Sequence, residues 1–136
     1  MKSIQYTTYG FGAFFLIIEI ARRGVGYFSV NATTMIEDLL MGVILIAVAM
    51  VYGKNRELGT KLIIGAWAYA VGGMFVPFAA HLEAYLRGAT FRPDHVHTDL
   101  NSVILKGVVW LIAIAMLYAS VKNRRRLEMG ETSVEN

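Results

Sequence analysis

Long apolar runs separated by short polar segments make up nearly all of the chain. Four runs carry few charges, and each approaches the roughly 20 residues that a helix needs to cross a bilayer at ~1.5 Å rise per residue. The pattern predicts an all-α fold, an integral membrane four-helix transmembrane bundle. The predicted spans are residues 4–21 or 4–30, 35–53, 61–86 and 100–121, with a polar cytoplasmic tail over residues 122–136.

The end of the first run is open to two interpretations. Glu19, Arg22 and Arg23 follow where a signal-peptide cleavage site would need small residues, so we expect an uncleaved helix. In the favoured interpretation the helix ends here and these side chains snorkel to the interface. In the other, the helix continues over residues 24–30 and keeps them inside the bilayer as a paired cluster.

Capping and helix-breaking residues indicate the remaining boundaries. Thr33 or Thr34 is a suitable N-cap for the second helix, and residues 54–60 form a short charged link to the third. Pro77 predicts a kink in the third helix. Residues 87–99 form the longest loop, which ends in residues able to cap the fourth helix.

Aromatic residues lie toward both ends of the predicted spans, as they do in the interfacial belts of membrane proteins. We expect most of them to anchor the helices at the headgroups. They are Tyr6, Tyr9, Tyr27, Phe28, Trp67, Tyr69, Tyr85, Phe91, Trp110 and Tyr118.

Composition excludes several kinds of function. The chain is 56% hydrophobic and 17% charged and has no cysteine, which rules out disulfides, thiolate metal ligands and thiol redox chemistry. The pI of about 9.3 does not indicate nucleic-acid binding, because the basic residues lie at helix ends. No signature of a hydrolase or a nucleotide-binding enzyme is present, so the sequence does not support an enzyme.

The distribution of lysine and arginine predicts the orientation. Under the positive-inside rule the more basic side is cytoplasmic, so both termini are expected in the cytoplasm. One side carries Lys2, Lys54, Arg56, Lys61, Lys122, Arg124, Arg125 and Arg126, and the other carries Arg22, Arg23, Arg87 and Arg92.

This orientation places most other ionisable residues at the outer face. Such residues are costly near a span and usually face the protein interior or a wet cavity, so we expect a polar pocket at the outer mouth. Lys106 either snorkels outward or neutralises Glu37 in the bundle. The candidate ligand-binding residues are Glu19, Arg23, Glu37, Asp38, His81 and Lys106.

A divalent metal site is a sharper alternative for the same region. His81, His95, His97 and Glu37 together supply the nitrogen and oxygen donors that zinc, iron or copper accept. In the simpler interpretation, which we favour, His95 and His97 are solvated loop residues. His81 then packs beneath the headgroups. Neither interpretation identifies a cofactor, which therefore remains unknown.

The layout from Glu37 to Leu45, an acid followed by glycine and an apolar helix, resembles that of DoxX-like four-helix membrane proteins. The charged link with Arg56 and the glycines between Gly10 and Gly24 extend the resemblance over about half of the chain. It implies a bacterial or archaeal inner-membrane protein, sometimes an accessory partner of quinone-linked redox enzymes. The histidine-bearing loop departs from that pattern, and no catalytic residue is implied.

Three functions compete at this point. The favoured one is a non-enzymatic membrane protein that binds a small ligand or a partner subunit through the outer polar pocket. The second is a membrane redox-associated subunit or metal-binding protein that uses the outer histidines and carboxylates. The third is a homo-oligomeric channel or transporter, suggested by the small residues Gly65, Ala68, Gly72 and Gly73 of the third run.

Overall fold

The computed structural model describes residues 2–88 and 100–132, and within these ranges the chain is helical and contains no strand. The order of elements is α1 (Lys2–Arg23), a 3-10 turn (Val25–Tyr27), α2 (Phe28–Lys54), α3 (Arg56–Arg87) and α4 (Leu100–Thr132). The 3-10 turn makes five helices where four are predicted. The four α-helices are each long and apolar enough to cross a membrane.

The first helix ends at its charged residues. Gly24 has φ +70° and ψ 162°, a conformation that glycine adopts without strain and that an α-helix cannot continue through. The expectation that the helix extends over residues 24–30 is therefore wrong. The alternative, an end close to residue 21, is confirmed to within two residues, since α1 ends at Arg23.

The second helix begins earlier than predicted and is interrupted. It starts at Phe28 rather than Met35, and Asn31 has the non-helical angles φ −151° and ψ 81°. Thr33 and Thr34 lie beyond this break, inside the helix, so neither is its N-cap. Residues 28–34 are mostly polar or β-branched, which is why an apolar pattern alone does not reveal them as helix.

A single residue separates α2 from α3, and the predicted charged link over residues 54–60 does not exist as a loop. Asn55 has the extended angles φ −137° and ψ 104°. Its side-chain oxygen accepts a hydrogen bond from the backbone N–H of Leu58 at 3.0 Å, which is the geometry of an N-cap. Glu57 and Lys61 pair at 2.7 Å along the first turns of α3.

The described part of helix α4 is Leu100–Thr132, so the helix continues past the predicted end near Val121. The polar residues that follow the apolar run are therefore helical up to Thr132, and Arg124 and Glu128 form an i,i+4 ion pair at 2.8 Å. Pro77 lies inside α3, which is helical on both sides of it.

The contacts divide the chain into two compact units. The first comprises Met1–Ala66 and Tyr118–Asn136, and the second Trp67–Leu117. In the first unit α1 packs closely on α2 at a pair of glycines. A Cβ atom on Gly12 would lie 2.8 Å from the Gly42 carbonyl oxygen, and a Cβ atom on Gly42 would lie 2.9 Å from the Gly12 oxygen.

The second unit is held by an aromatic contact between α3 and α4. The Trp110 indole stacks on Phe78 with ring centroids 5.3 Å apart, and its N–H donates to the Val71 carbonyl at 3.1 Å. Trp67 is wholly buried. Trp67 therefore does not anchor the chain at an interface as most of the aromatic residues were expected to, whereas Tyr6 and Tyr118 are exposed as belt residues would be.

Candidate functional site

The guanidinium group of Arg23 is the centre of a charged contact between α1 and α2. Its Nη1 donates to Asp38 Oδ2 of α2 at 2.8 Å. Its Nε lies 3.1 Å from Glu19 Oε2, one turn earlier on α1. The Tyr27 ring stacks beneath it, 4.9 Å from the guanidinium carbon to the ring centroid. We call Glu19, Arg23, Tyr27 and Asp38 the boundary cluster.

Local structure explains how these four side chains meet. Glu19 and Arg23 are four residues apart on α1 and so face the same side. The glycine turn at Gly24 ends the helix and reverses the chain, which brings the Tyr27 ring back against Arg23. Helix α2 then returns beside α1 and presents Asp38 from the opposite side.

The boundary cluster is largely shielded from solvent. Only 11% of the Arg23 side chain, 9% of Glu19 and 21% of Asp38 is exposed. The Arg23 guanidinium therefore contacts protein side chains more than solvent, and the expectation that it snorkels to the interface stays a prediction. Because a buried charge is stable only when it is paired and hydrogen-bonded, Arg23 and its carboxylate partners depend on one another.

Glu37, a predicted pocket residue, lies next to the boundary cluster on the solvent-exposed surface. Its side chain is exposed, while that of the next residue, Asp38, is turned toward Arg23. Among the residues that the structure describes, none pairs with Glu37. An accessible carboxylate thus stands beside a mostly buried ion network at the start of the second candidate span.

The other two predicted ligand-binding residues belong to the second unit. His81 is buried on α3, with 3% of the residue exposed, and Lys106 is half-buried near the start of α4. The structure brings together Glu19, Arg23 and Asp38 of the six predicted residues, with Glu37 next to them. It describes His81 and Lys106 within a different unit.

The predicted metal site is incomplete in the described part of the chain. No group of three histidine, aspartate or glutamate side chains is close enough there to hold a metal ion. His95 and His97 lie outside the described residues, so the metal hypothesis stays a prediction. The residues that would have to support it, His81 and Glu37, are respectively buried and exposed.

A second surface feature lies along the last turns of α3. A shallow groove of about 420 Å³ is lined by the apolar side chains of Phe75, Phe78, Leu82 and Leu86, together with Ala79, Glu83 and Arg87. Glu83 and Arg87 form an i,i+4 ion pair at 2.7 Å, and both are largely exposed. The residues that line the groove all come from one helix, so it is a face of α3 rather than an enclosed pocket.

Sequence reasoning missed the part that Tyr27 plays in the boundary cluster. The contact depends on the reversal of the chain at Gly24, which no hydrophobic periodicity indicates. An available signal was the pair of glycines, Gly24 and Gly26, directly after Arg23, because glycines after a helix often mark a turn.

Comparison with protein-family models, with curated proteins and with solved structures gives no match for this chain. The resemblance to DoxX-like proteins therefore stays a prediction, and the function is inferred from the residues alone.

Proposed function

We propose that this chain is an integral membrane protein that crosses the bilayer four times, with both termini in the cytoplasm, and that it binds a small cationic ligand at the outer boundary. The observation that carries the proposal is the boundary cluster. There an ion network joins the ends of two candidate spans and holds the Glu37–Asp38 pair at the surface.

Placing charged side chains in this region is costly, which indicates that they serve a function. Glu19 is 7% exposed and lies within the first candidate span, Ser3–Ala21. Ionisable residues inside spans are rare because their desolvation is costly, and they commonly mark binding sites or transport pathways. A span that only needed to end at the interface would require no buried glutamate.

The accessible groups determine the charge of the ligand. Arg23 is shielded and already contacts two carboxylates, so it offers little to an incoming anion. The exposed group is Glu37, beside the partly exposed Asp38. Accessible carboxylates attract positive charge, which favours a cation such as an amine or a quaternary ammonium group.

The membrane part of the proposal has a direct test. Membranes from expressing cells are washed with alkaline carbonate, and an integral protein stays with the sedimented lipid. Release of the protein into the wash contradicts membrane insertion. Cysteine labelling then reports topology, because the chain has no cysteine of its own and single cysteines at residues 28 and 128 are distinguishable by an impermeant reagent.

The ligand-binding part is tested separately with the purified protein in detergent. Tetramethylammonium and a series of primary diamines serve as probes, and calorimetry measures binding. Glu37→Gln is expected to weaken binding at least tenfold with no loss of helix content. The matched control is Glu83→Gln, which removes an exposed carboxylate from α3. Equal affinity in the two variants rules out the boundary cluster as the cation site.

Binding to a partner subunit is the other outcome of this test. If no probe binds but Glu37→Gln releases a co-purifying membrane protein, the same surface is a subunit interface and the small-ligand proposal is wrong. The redox-associated and channel hypotheses have no observation among the described residues that favours them over this one.

A further inference from the structure

The helical continuation of α4 beyond its apolar run creates a surface that the sequence pattern does not show. Residues 122–132 are helical, so side chains separated by three and four residues share one face. Lys122, Arg125 and Arg126 fall on one such face, whereas Arg124 points to the other side. We call these three residues the basic face of α4.

The basic face differs in its pairing from three other exposed cations of the chain. Arg124 is bound to Glu128 at 2.8 Å, Lys61 to Glu57 at 2.7 Å and Arg87 to Glu83 at 2.7 Å. Lys122, Arg125 and Arg126 are all exposed. No carboxylate whose side chain the structure describes forms an ion pair with any of these three.

The surroundings of the basic face indicate its depth. Tyr118 lies about one turn before Lys122 on the same side and is 68% exposed. Met129 lies about one turn after Arg126 and is 64% exposed. Tyrosine is the residue typical of the headgroup region. With a rise of ~1.5 Å per residue, the basic face extends only about 6 Å along the axis from Lys122 to Arg126.

We propose that the basic face of α4 binds the headgroups of anionic phospholipids in the leaflet next to the C-terminus. Unpaired cations within a turn or so of a span lie within reach of lipid phosphates, which arginine binds through paired N–H groups. An acidic soluble protein would need a surface that projects further from the membrane. The inference rests on the proposed membrane insertion but not on the proposed cation ligand.

The experiment uses the full chain reconstituted in vesicles of mixed phosphatidylglycerol and phosphatidylcholine. Electron paramagnetic resonance with spin-labelled versions of each lipid measures the preference for the anionic lipid. The wild type is expected to prefer phosphatidylglycerol. The triple variant Lys122→Gln, Arg125→Gln, Arg126→Gln is expected to lose most of that preference. The result does not depend on which way the protein inserts, because both leaflets contain both lipids.

The matched control is the triple variant Lys61→Gln, Arg87→Gln, Arg124→Gln, which removes the same number of positive charges from ion-paired positions. It is expected to keep the preference for phosphatidylglycerol. Raising the salt concentration should weaken the preference of the wild type, because exposed charges are screened over a few ångströms at about 1 M salt. This second measurement needs no variant and so tests the electrostatic origin even if the triple variant misfolds.

Three results overturn the inference. If the two triple variants lose the preference equally, net charge is responsible and the basic face is not a binding surface. If the wild type inserts but shows no preference, the lipid inference fails while the proposed membrane protein stands, and an acidic protein becomes the partner to seek. If the chain does not insert, which flotation with the vesicles reports, the inference fails together with the proposed function.

Discussion

Gly12 of α1 and Gly42 of α2 lie against each other so closely that the carbonyl oxygen of each occupies the space next to the other's missing side chain. The distances from an added Cβ are 2.8 Å at Gly12 and 2.9 Å at Gly42. Real Cβ atoms do not approach backbone oxygens this closely. The two glycines therefore determine how near α1 and α2 approach, and with it whether Arg23 reaches Asp38.

Gly12→Ala is expected to destabilise the protein by about 1–3 kcal/mol, the usual cost of overpacking a closely packed contact. Gly10 provides the control on the same helix, because a Cβ there meets nothing within 4 Å. Gly10→Ala should be neutral or stabilise the helix by up to about 1 kcal/mol, because alanine has the higher helix propensity. Unfolding in mixed detergent micelles measures both, and equal stabilities would contradict the close contact.

Arg23→Gln is expected to cost about 3 kcal/mol or more, because it removes from a shielded site the cation that both Glu19 and Asp38 contact. Arg87→Gln removes an arginine from an exposed i,i+4 pair and should cost less than about 1 kcal/mol. The double variant Glu19→Gln, Arg23→Gln should recover part of the loss, since the Glu19 charge is then removed together with that of Arg23. Detergent unfolding of all three gives the comparison, and similar costs for Arg23 and Arg87 would show that burial is irrelevant.

The sequence predicts the two helices that carry Arg23 and Asp38, but it does not predict the contact between these two side chains. The apolar runs predict four long helices and the end of α1 to within two residues. Those features depend on the burial of apolar surface and on helix length. Both can be read from the order of apolar and polar residues along the chain. The pairing of Arg23 with Asp38 depends on how α1 and α2 pack, and a single sequence does not report that distance.

The boundaries that were missed have a common cause. Residues 28–34, 56–60 and 122–132 are helical although polar, so a search for apolar periodicity assigns them to loops. Their helices are extended by local interactions instead, such as the cap at Asn55 and the ion pairs of Glu57 with Lys61 and Arg124 with Glu128. These signals are readable in the sequence once charged pairs at i,i+4 are counted.

Trp110 is expected to contribute to the second unit through two separable contacts. Trp110→Phe keeps an aromatic ring against Phe78 but removes the donor to the Val71 carbonyl, so the cost should be about 1 kcal/mol. Trp110→Ala also removes the stacked ring and should cost about 3–5 kcal/mol. Thermal unfolding followed by circular dichroism distinguishes the two, and identical losses would mean that the stacked ring contributes nothing.

Asn55 is expected to stabilise the protein as the N-cap of α3, at the single residue between α2 and α3. Asn55→Ala removes the acceptor for the Leu58 N–H and should cost about 1 kcal/mol, whereas Asn55→Asp keeps an acceptor and should cost little. Asn123 lies inside α4 and serves as the control, because alanine there replaces a poor helix former and should be neutral or stabilising. Denaturant unfolding ranks the three variants. If Asn55→Asp were as damaging as Asn55→Ala, the side-chain oxygen would not be the stabilising group, and the turn would depend on the backbone bonds from Asn55 N–H to Val51 and from Gly59 N–H to Asn55.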